Sequence, residues 1–356
     1  MLSIKQAVVK KIIEVKQLVS KVEVEIEGKV FPAYNYEPLT GDIEVGSRVL
    51  VNTTAVDLGL GTGGAHFVFY NQKNRDFSNF SPGHIMKLRY TPYQFSVLSE
   101  EAQESVNHDI LKDKKTIEGM PVIVGTLHSQ LPAIAVTAKV LKPEVRIAYI
   151  MTDAAALPIA FSRQVFNLAQ KGFIDNTITL GNAFGGDYEA VNIFSALAIA
   201  RWVVEADIAI VTMGPGIVGT GTALGFSGIE QGVNLNAVAS LKGFAVAVPR
   251  ISFRDKRSRH YGLSHHTLTS LSIAALTQVS MALPKMDSQK LTLVMSQVKK
   301  HGLDDKHLIE IIENDITLDA LKRNKIKVTT MQRLIEQEKE YFQASGCAAM
   351  VALRGV

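Results

Sequence analysis

Five short stretches of the chain gather the residue types that bind anions, hold metal ions or move protons. Residues 125–132 (GTLHSQLP) carry His128 and Ser129, and residues 151–158 (MTDAAALP) carry Thr152 and Asp153. Residues 181–189 (GNAFGGDYE) carry Asn182, Asp187 and Glu189. Residues 213–222 (MGPGIVGTGT) are glycine-rich, and residues 249–267 (PRISFRDKRSRHYGLSHHT) hold Arg250, Arg254, Arg257 and the adjacent His265 and His266.

The glycine-rich stretch suggests anion binding. Glycine permits positive φ and lets a ligand approach backbone N–H groups. A helical pattern follows Gly225. Gly214, Gly216, Gly219, Gly221 and Thr222 would therefore present N–H groups, and one hydroxyl, to a phosphate or carboxylate near the positive end of a helix. The same composition also suits a tight turn with close strand–helix packing. Gly214, Gly216 and Gly219 match G-x-G-x-x-G, but the next strand ends at Pro249 and Arg250 rather than at an acidic ribose ligand. Gly216 and Gly221 have P-loop spacing, yet Thr222 stands where that motif places lysine. Arg250, Arg254 and Arg257 would neutralise the bound anion, because guanidinium groups grip oxygens in pairs. The alternative is a merely solvated basic loop.

His128 and His265 are the candidate general acid or base. Asp153 and Asp187 are the carboxylates that would orient them or bind a divalent metal ion. His265 and His266 diverge by about 100° on a regular helix, so one can face a ligand while the other packs. A metal set of His128, Asp153, Asp187 and one of this pair is chemically reasonable. H-E-x-x-H and cysteine ligand sets are absent, which leaves the metal and its ligands unknown. Each residue also has a structural reading. Asp153 and Asp187 stand where helices begin and would cap N–H groups, and His128 before an apolar helix would be a hydrogen-bonded core residue. Ser129 and Ser264 lack the G-x-S-x-G context of a serine hydrolase.

The elements that must position these residues change character near residue 115. Before it, alternating runs such as 20–26 (SKVEVEI), 48–53 and 66–70, with turn residues between them, predict a small β-barrel or sandwich over 1–115. The glycine run 58–64 (LGLGTGG) reads as a hairpin connection in preference to a second ligand loop. From residue 116 to 356, strand-like runs recur about every 30 residues (121–124, 146–151, 177–180, 207–212, 244–248, 278–282 and 307–312), each followed by helical periodicity. That repetition predicts an α/β, Rossmann-like domain, a doubly wound and mostly parallel sheet ending in a C-terminal helix over 332–349. An eighth strand at 327–330 would make a TIM-like barrel the alternative. In either fold, ligands bind beyond the carboxyl ends of the strands, where all five stretches fall.

Composition narrows the partners. A hydrophobic share of 47% with 20% charged residues suits a globular enzyme-sized chain. A formal charge of +4 is too small to argue for nucleic acid, and no ladder of aromatic and basic residues suggests it. The single Cys347 excludes an internal disulfide framework and fits a reducing cytoplasm. Residues 1–16 mix charges into their apolar run, unlike a signal peptide. Residues 194–213 are interrupted by Arg201, Glu205 and Asp207, so they read as helix then strand, not as a membrane span. The expectation is a cytoplasmic protein with a small anionic molecule as partner, no nucleic acid and no membrane, and with a homo-oligomer left open.

GHIMKLRYTP, HSQLP, MTDAAALP, GGDYEAVN, MGPGIVGTGT, GFSGIEQG and SHHT resemble, in this order and over the full length, an uncharacterised bacterial domain-of-unknown-function family (numbered 3866). The resemblance implies a bacterial, cytoplasmic protein; the family has no established activity, so no catalytic residue is carried over. The residues themselves point to an enzyme, a hydrolase or group transferase, acting on a small anionic, phosphorylated or nucleotide-like substrate. Hydride transfer fits less well without the ribose carboxylate. The rival reading is a non-catalytic sensor that binds an anionic metabolite in the same crevice.

Overall fold

The computed structural model describes residues 2–60, 63–74, 76, 78 and 81–356, so Gly61 of the 58–64 glycine run lies outside the described residues. The chain divides into two compact units, Met1–Pro82 with Leu88–Ser96, and Gly83–Lys87 with Val97–Val356.

The first unit is a closed five-stranded barrel. Its strands are β1 (Ile4–Lys16), β2 (Val19–Ile26), β3 (Lys29–Tyr36), β4 (Arg48–Asn52) and β5 (His66–Asn71), in the order β1-β2-β3-β5-β4. β1 closes the ring by pairing with both β2 and β4, and two register shifts along it, after Val9 and after Ile12, provide the bend that closure needs. Alternation puts Val22, Val24 and Ile26 of β2 inside with Val9, Ala33, Val49 and Val51.

The second unit is an eight-stranded, wholly parallel sheet. Its strands are β6 (Pro121–Val124), β7 (Ile147–Thr152), β8 (Asn176–Leu180), β9 (Tyr188–Ala190), β10 (Ile208–Met213), β11 (Phe244–Ala247), β12 (Ser280–Pro284) and β13 (Leu308–Ile312). Their order is β9-β8-β7-β10-β6-β11-β12-β13. The sheet is open, which decides between the doubly wound fold and the TIM-like barrel. Residues 329–330 pair only with 333–334 and stay outside it. The eighth strand is instead β9, inside a stretch whose glycines and acids read as loop.

Period-two alternation buries both faces of the sheet. Val122 and Val124 face one core with α3 (Ile193–Trp202), α4 (Glu230–Ser240) and α5 (Ser288–Lys300). Ile123 faces the other, with α1 (Leu131–Leu141), α2 (Arg163–Gln170), α6 (Ile316–Arg323) and α7 (Lys339–Ala352). Leu111 and Ile117 enter the first of these cores, so the polar stretch before residue 115 belongs with the sheet unit, not with the barrel. α7 packs so closely that a Cβ on Gly346 would fall 1.8 Å from Thr317 Oγ1. Thr317 is itself bonded to Thr137 Oγ1 of α1 at 2.8 Å.

One feature of the strand order positions the site. β6 and β10 are neighbours, but β6 leads through α1 on one face to β7, and β10 leads through α4 on the other face to β11. Their connections diverge, and the carboxyl ends of such a pair open a crevice.

Candidate functional site

A cavity of about 330 Å³ occupies that switch point. His128 and Ser129 reach it from the β6 loop, Ser162 and Arg163 from the start of α2, and Met213–Ile217 from the β10 loop, with Thr330 and Met331 at its rim. The β6 loop is held rigidly: Gln130 Oε1 accepts from the Thr126 and Leu127 N–H groups at 2.9 and 3.0 Å, and its amide donates to the Pro249 carbonyl at 3.2 Å.

His128 sits in a chain of hydrogen bonds. Its Nε2 lies 2.6 Å from Ser162 Oγ, and its Nδ1 lies 3.2 Å from the Tyr149 hydroxyl. Tyr149 continues to Thr212 Oγ1 at 3.0 Å. Burial pushes His128 down to about 4, against the opposing pull of the Met213 backbone, so the imidazole is neutral at pH 7. Both ring nitrogens of His128 are thus engaged by protein hydroxyls.

The glycine loop does two things. Gly214 and Gly216 line the cavity, and Gly216 takes a φ of +114° that favours glycine. Among the described residues, the Gly216 and Ile217 N–H groups have no protein acceptor. The remainder folds into a small hairpin-like excursion. Thr220 N–H donates to the Gly225 carbonyl at 2.8 Å, and Thr222 Oγ1 accepts from Gly225 N–H at 3.0 Å. Gly219 therefore packs against Phe226, while Gly221 faces Arg259 and the Thr222 hydroxyl ties the turn to Thr220 and Gly225. The expected wrapping of all five residues around one anion gives way to two short segments with different neighbours. α4 begins only at Glu230, after a 3₁₀ turn, because the excursion intervenes.

The acidic residues separate. Asp153 follows β7 at the carboxyl edge, where its Oδ2 accepts from Asn182 N–H at 2.9 Å. Asp187 lies at the opposite edge. β8 and β9 are parallel neighbours joined by only seven residues, so the chain must return to the amino ends before β9 begins. There the Asp187 carboxylate accepts from Thr177 N–H and Oγ1 at 2.8 and 2.9 Å, which removes it from the crevice. The carboxyl that residue reasoning missed is Glu230, on α4. It accepts from Thr152 Oγ1 at 2.6 Å. Burial raises it to about 7; the Thr152 hydrogen bond opposes the rise and Asp153 adds to it. The motif GFSGIEQG contains it, but there it reads as an ordinary acidic residue in a first helical turn.

The basic loop after β11 folds around a histidine cluster. His260, His265 and His266 each offer a ring nitrogen, all within 4.8 Å of one another, close enough to coordinate a divalent metal ion. His260, unremarked in the sequence, completes the set through the spacing H-x₄-H-H. His266 stacks on Phe226 with ring centroids 4.1 Å apart. Burial lowers all three histidines. Arg250 is the next cause for His260 and His266, which fall to about 3 and about 2, and Arg259 the next for His265. The arginines divide by role. Arg250 is buried, with Nη1 3.3 Å from His266 Nδ1 and Nη2 3.6 Å from Asp255. Arg257 grips Asp255 with two bonds of 2.9 and 2.8 Å, holding that carboxylate well below its usual range. Arg254 is exposed.

The donor chemistry discriminates between ligands. Ser264 Oγ meets His260 Nδ1 at 2.7 Å, an arrangement that leaves Nε2 for an ion. At His266 the guanidinium of Arg250 can only donate, so Nδ1 accepts and the proton of the neutral ring sits on Nε2. An ion bound through that Nε2 requires Arg250 to withdraw, whereas an anion would accept from the Nε2–H directly.

Fold and site together define a doubly wound, all-parallel α/β unit with a cavity at its switch point, in one chain with a small closed β-barrel. Residues 32–349 match a family profile described as a protein of unknown function (DUF3866), and the chain belongs to that family. No curated protein matches the chain. No helix among the described residues is long and apolar enough to cross a membrane.

Proposed function

We propose that the protein is an enzyme, a hydrolase or group transferase, that binds a small anionic substrate in the switch-point crevice. One observation carries this reading. Gly216 and Ile217, whose N–H groups lack acceptors among the described residues, line the same cavity as the neutral His128. Paired N–H donors recognise negative charge without a particular side chain, and a neutral imidazole at pH 7 can accept a proton. Glu230, poised near neutrality at the same strand edge, supports acid–base work close by. Arg259 and the histidine cluster, reached by the far end of the glycine loop, would neutralise a further anionic group or hold a divalent ion.

Calorimetry with inorganic phosphate, nucleotides and sugar phosphates tests the reading. Wild type should bind at least one member, and Gly216→Val should weaken that binding at least tenfold. Gly214→Ala is a second variant without positive φ; its Cβ would sit 3.3 Å from Met151 Sδ, so the added methyl should displace the loop that carries Gly216. Equal binding by wild type and both folded variants, or binding by none, overturns the proposal. Binding with every ligand recovered unchanged identifies a sensor instead.

A further inference from the structure

Ser162 has no place in any motif of the sequence, yet it occupies the position a nucleophile needs. It lines the cavity, its Oγ lies 2.6 Å from His128 Nε2, and it accepts the Val165 N–H at 3.2 Å as the cap of α2. A hydroxyl has one proton to donate, and among the described residues His128 is its only protein acceptor. One neutral tautomer serves the whole chain of bonds: Nε2 accepts from Ser162, and Nδ1–H donates to the Tyr149 hydroxyl, which donates on to Thr212, whose own hydroxyl donates to the Met213 carbonyl. Nucleophile, base and a third group orienting the base are thus in register.

We propose that Ser162 is the nucleophile of the switch-point cavity, with His128 as its base, Tyr149 as the positioning residue, and a carboxylic ester of a small anionic molecule as substrate. This deepens the reading above and rests on it. Acyl transfer is favoured over phosphoryl transfer. A transferring phosphoryl group spreads charge over three oxygens and calls for metal ions or several cations, whereas Arg163 is the only cationic side chain among the cavity's lining residues. A tetrahedral acyl intermediate concentrates charge on one oxygen, which the Gly216 and Ile217 N–H groups can stabilise.

The step balances with water as co-reactant. Ser162 Oγ bonds to the ester carbonyl carbon as its proton passes to His128 Nε2. The carbon–oxygen bond to the alcohol breaks, and the alcohol leaves with that proton. Water then attacks the acyl carbon, giving a proton to His128, and Ser162 departs and regains it.

The test treats the full chain with a fluorophosphonate and, separately, a sulfonyl fluoride, reading intact mass and then the modified peptide. One adduct on Ser162 is expected with at least one reagent, at a rate flat between pH 5 and 8 because the base titrates below that range. Ser162→Asp keeps a capping oxygen and should abolish the adduct without unfolding the chain. His128→Gln should slow labelling by roughly 100-fold or more. Tyr149→Phe should slow it less and steepen its pH profile, which a purely structural tyrosine would not do. No adduct on Ser162 in the folded protein with either reagent overturns the proposal, as does unchanged labelling in His128→Gln. Phosphate-panel binding by the wild-type chain is read in parallel: if it is present while wild-type labelling fails, the nucleophile is wrong and the anion site stands.

Discussion

Replacing Glu230 by glutamine turns a feature of the crevice into a number. The side chain is largely buried at the start of α4 and accepts the Thr152 hydroxyl proton at 2.6 Å. Burial is the main cause that raises its carboxyl from the ordinary 4.5 to about 7. The folded state therefore holds a proton that the unfolded chain has lost between those values, so stability falls as pH rises through that window and levels off above it. The rise corresponds to about 3 kcal/mol of stability lost between pH 4.5 and pH 7. Glutamine keeps the acceptor for Thr152 and cannot ionise. The variant should match wild type near pH 4.5 and exceed it by about 3 kcal/mol at pH 8, which is roughly 6–12 °C in Tm for a unit of this size. The assay is thermal and urea unfolding of both proteins at pH 5, 6, 7 and 8. Taking the difference between them cancels the other carboxyl groups. A difference independent of pH would refute the burial argument, and a variant less stable at pH 8 would reverse its sign. If the variant also loses turnover while gaining stability, the ionisable carboxyl is retained for chemistry at the expense of the fold.

Further expectations concern the other charged clusters. Lys87 is fully buried, 2.9 Å from both Glu189 Oε2 and the Ala183 carbonyl, so Lys87→Met should cost about 3–5 kcal/mol by leaving a buried carboxylate unpaired. Adding Glu189→Gln should restore much of that loss in denaturant unfolding; no restoration would mean that packing, not charge, dominates. At the histidine cluster, Zn²⁺ titration should show one site that His265→Ala weakens at least tenfold. Arg250→Met should strengthen metal binding by removing the group that holds the His266 Nδ1, and weaker zinc binding in that variant would refute the tautomer argument.

The doubly wound sheet was legible because its strands are buried on both faces. Residues 121–124 and 208–213 are continuous apolar runs for that reason, and each points to a loop at the carboxyl edge. β9 escaped because it is a three-residue edge strand whose central Glu189 is satisfied by Lys87, Thr179 and Gly185. Missing that strand is what misplaced Asp187: a helix-capping aspartate at the carboxyl edge and a strand-starting one at the amino edge have the same local sequence. The boundary near residue 115 was drawn on polarity, and polarity hid the few apolar residues, Leu111 among them, that anchor the stretch to the sheet.

The site was legible as a place more than as a set of groups. Rules about strand ends find the edge where His128, Asp153, Gly214 and Gly216 lie, because those residues follow their strands directly. Ser162 and Glu230 do not follow a strand; each opens a helix, and each acquires its chemistry from a partner 34 or 78 residues away. Those pairings exist because β10, late in the chain, inserts between β7 and β6, which came first. The insertion brings the α4 end to Thr152 and the glycine loop to His128. The chemistry of this crevice depends on strand order, which no local spacing encodes. Mutations that leave every loop intact but disturb the β6–β10–β7 pairing should therefore abolish His128 and Glu230 behaviour together.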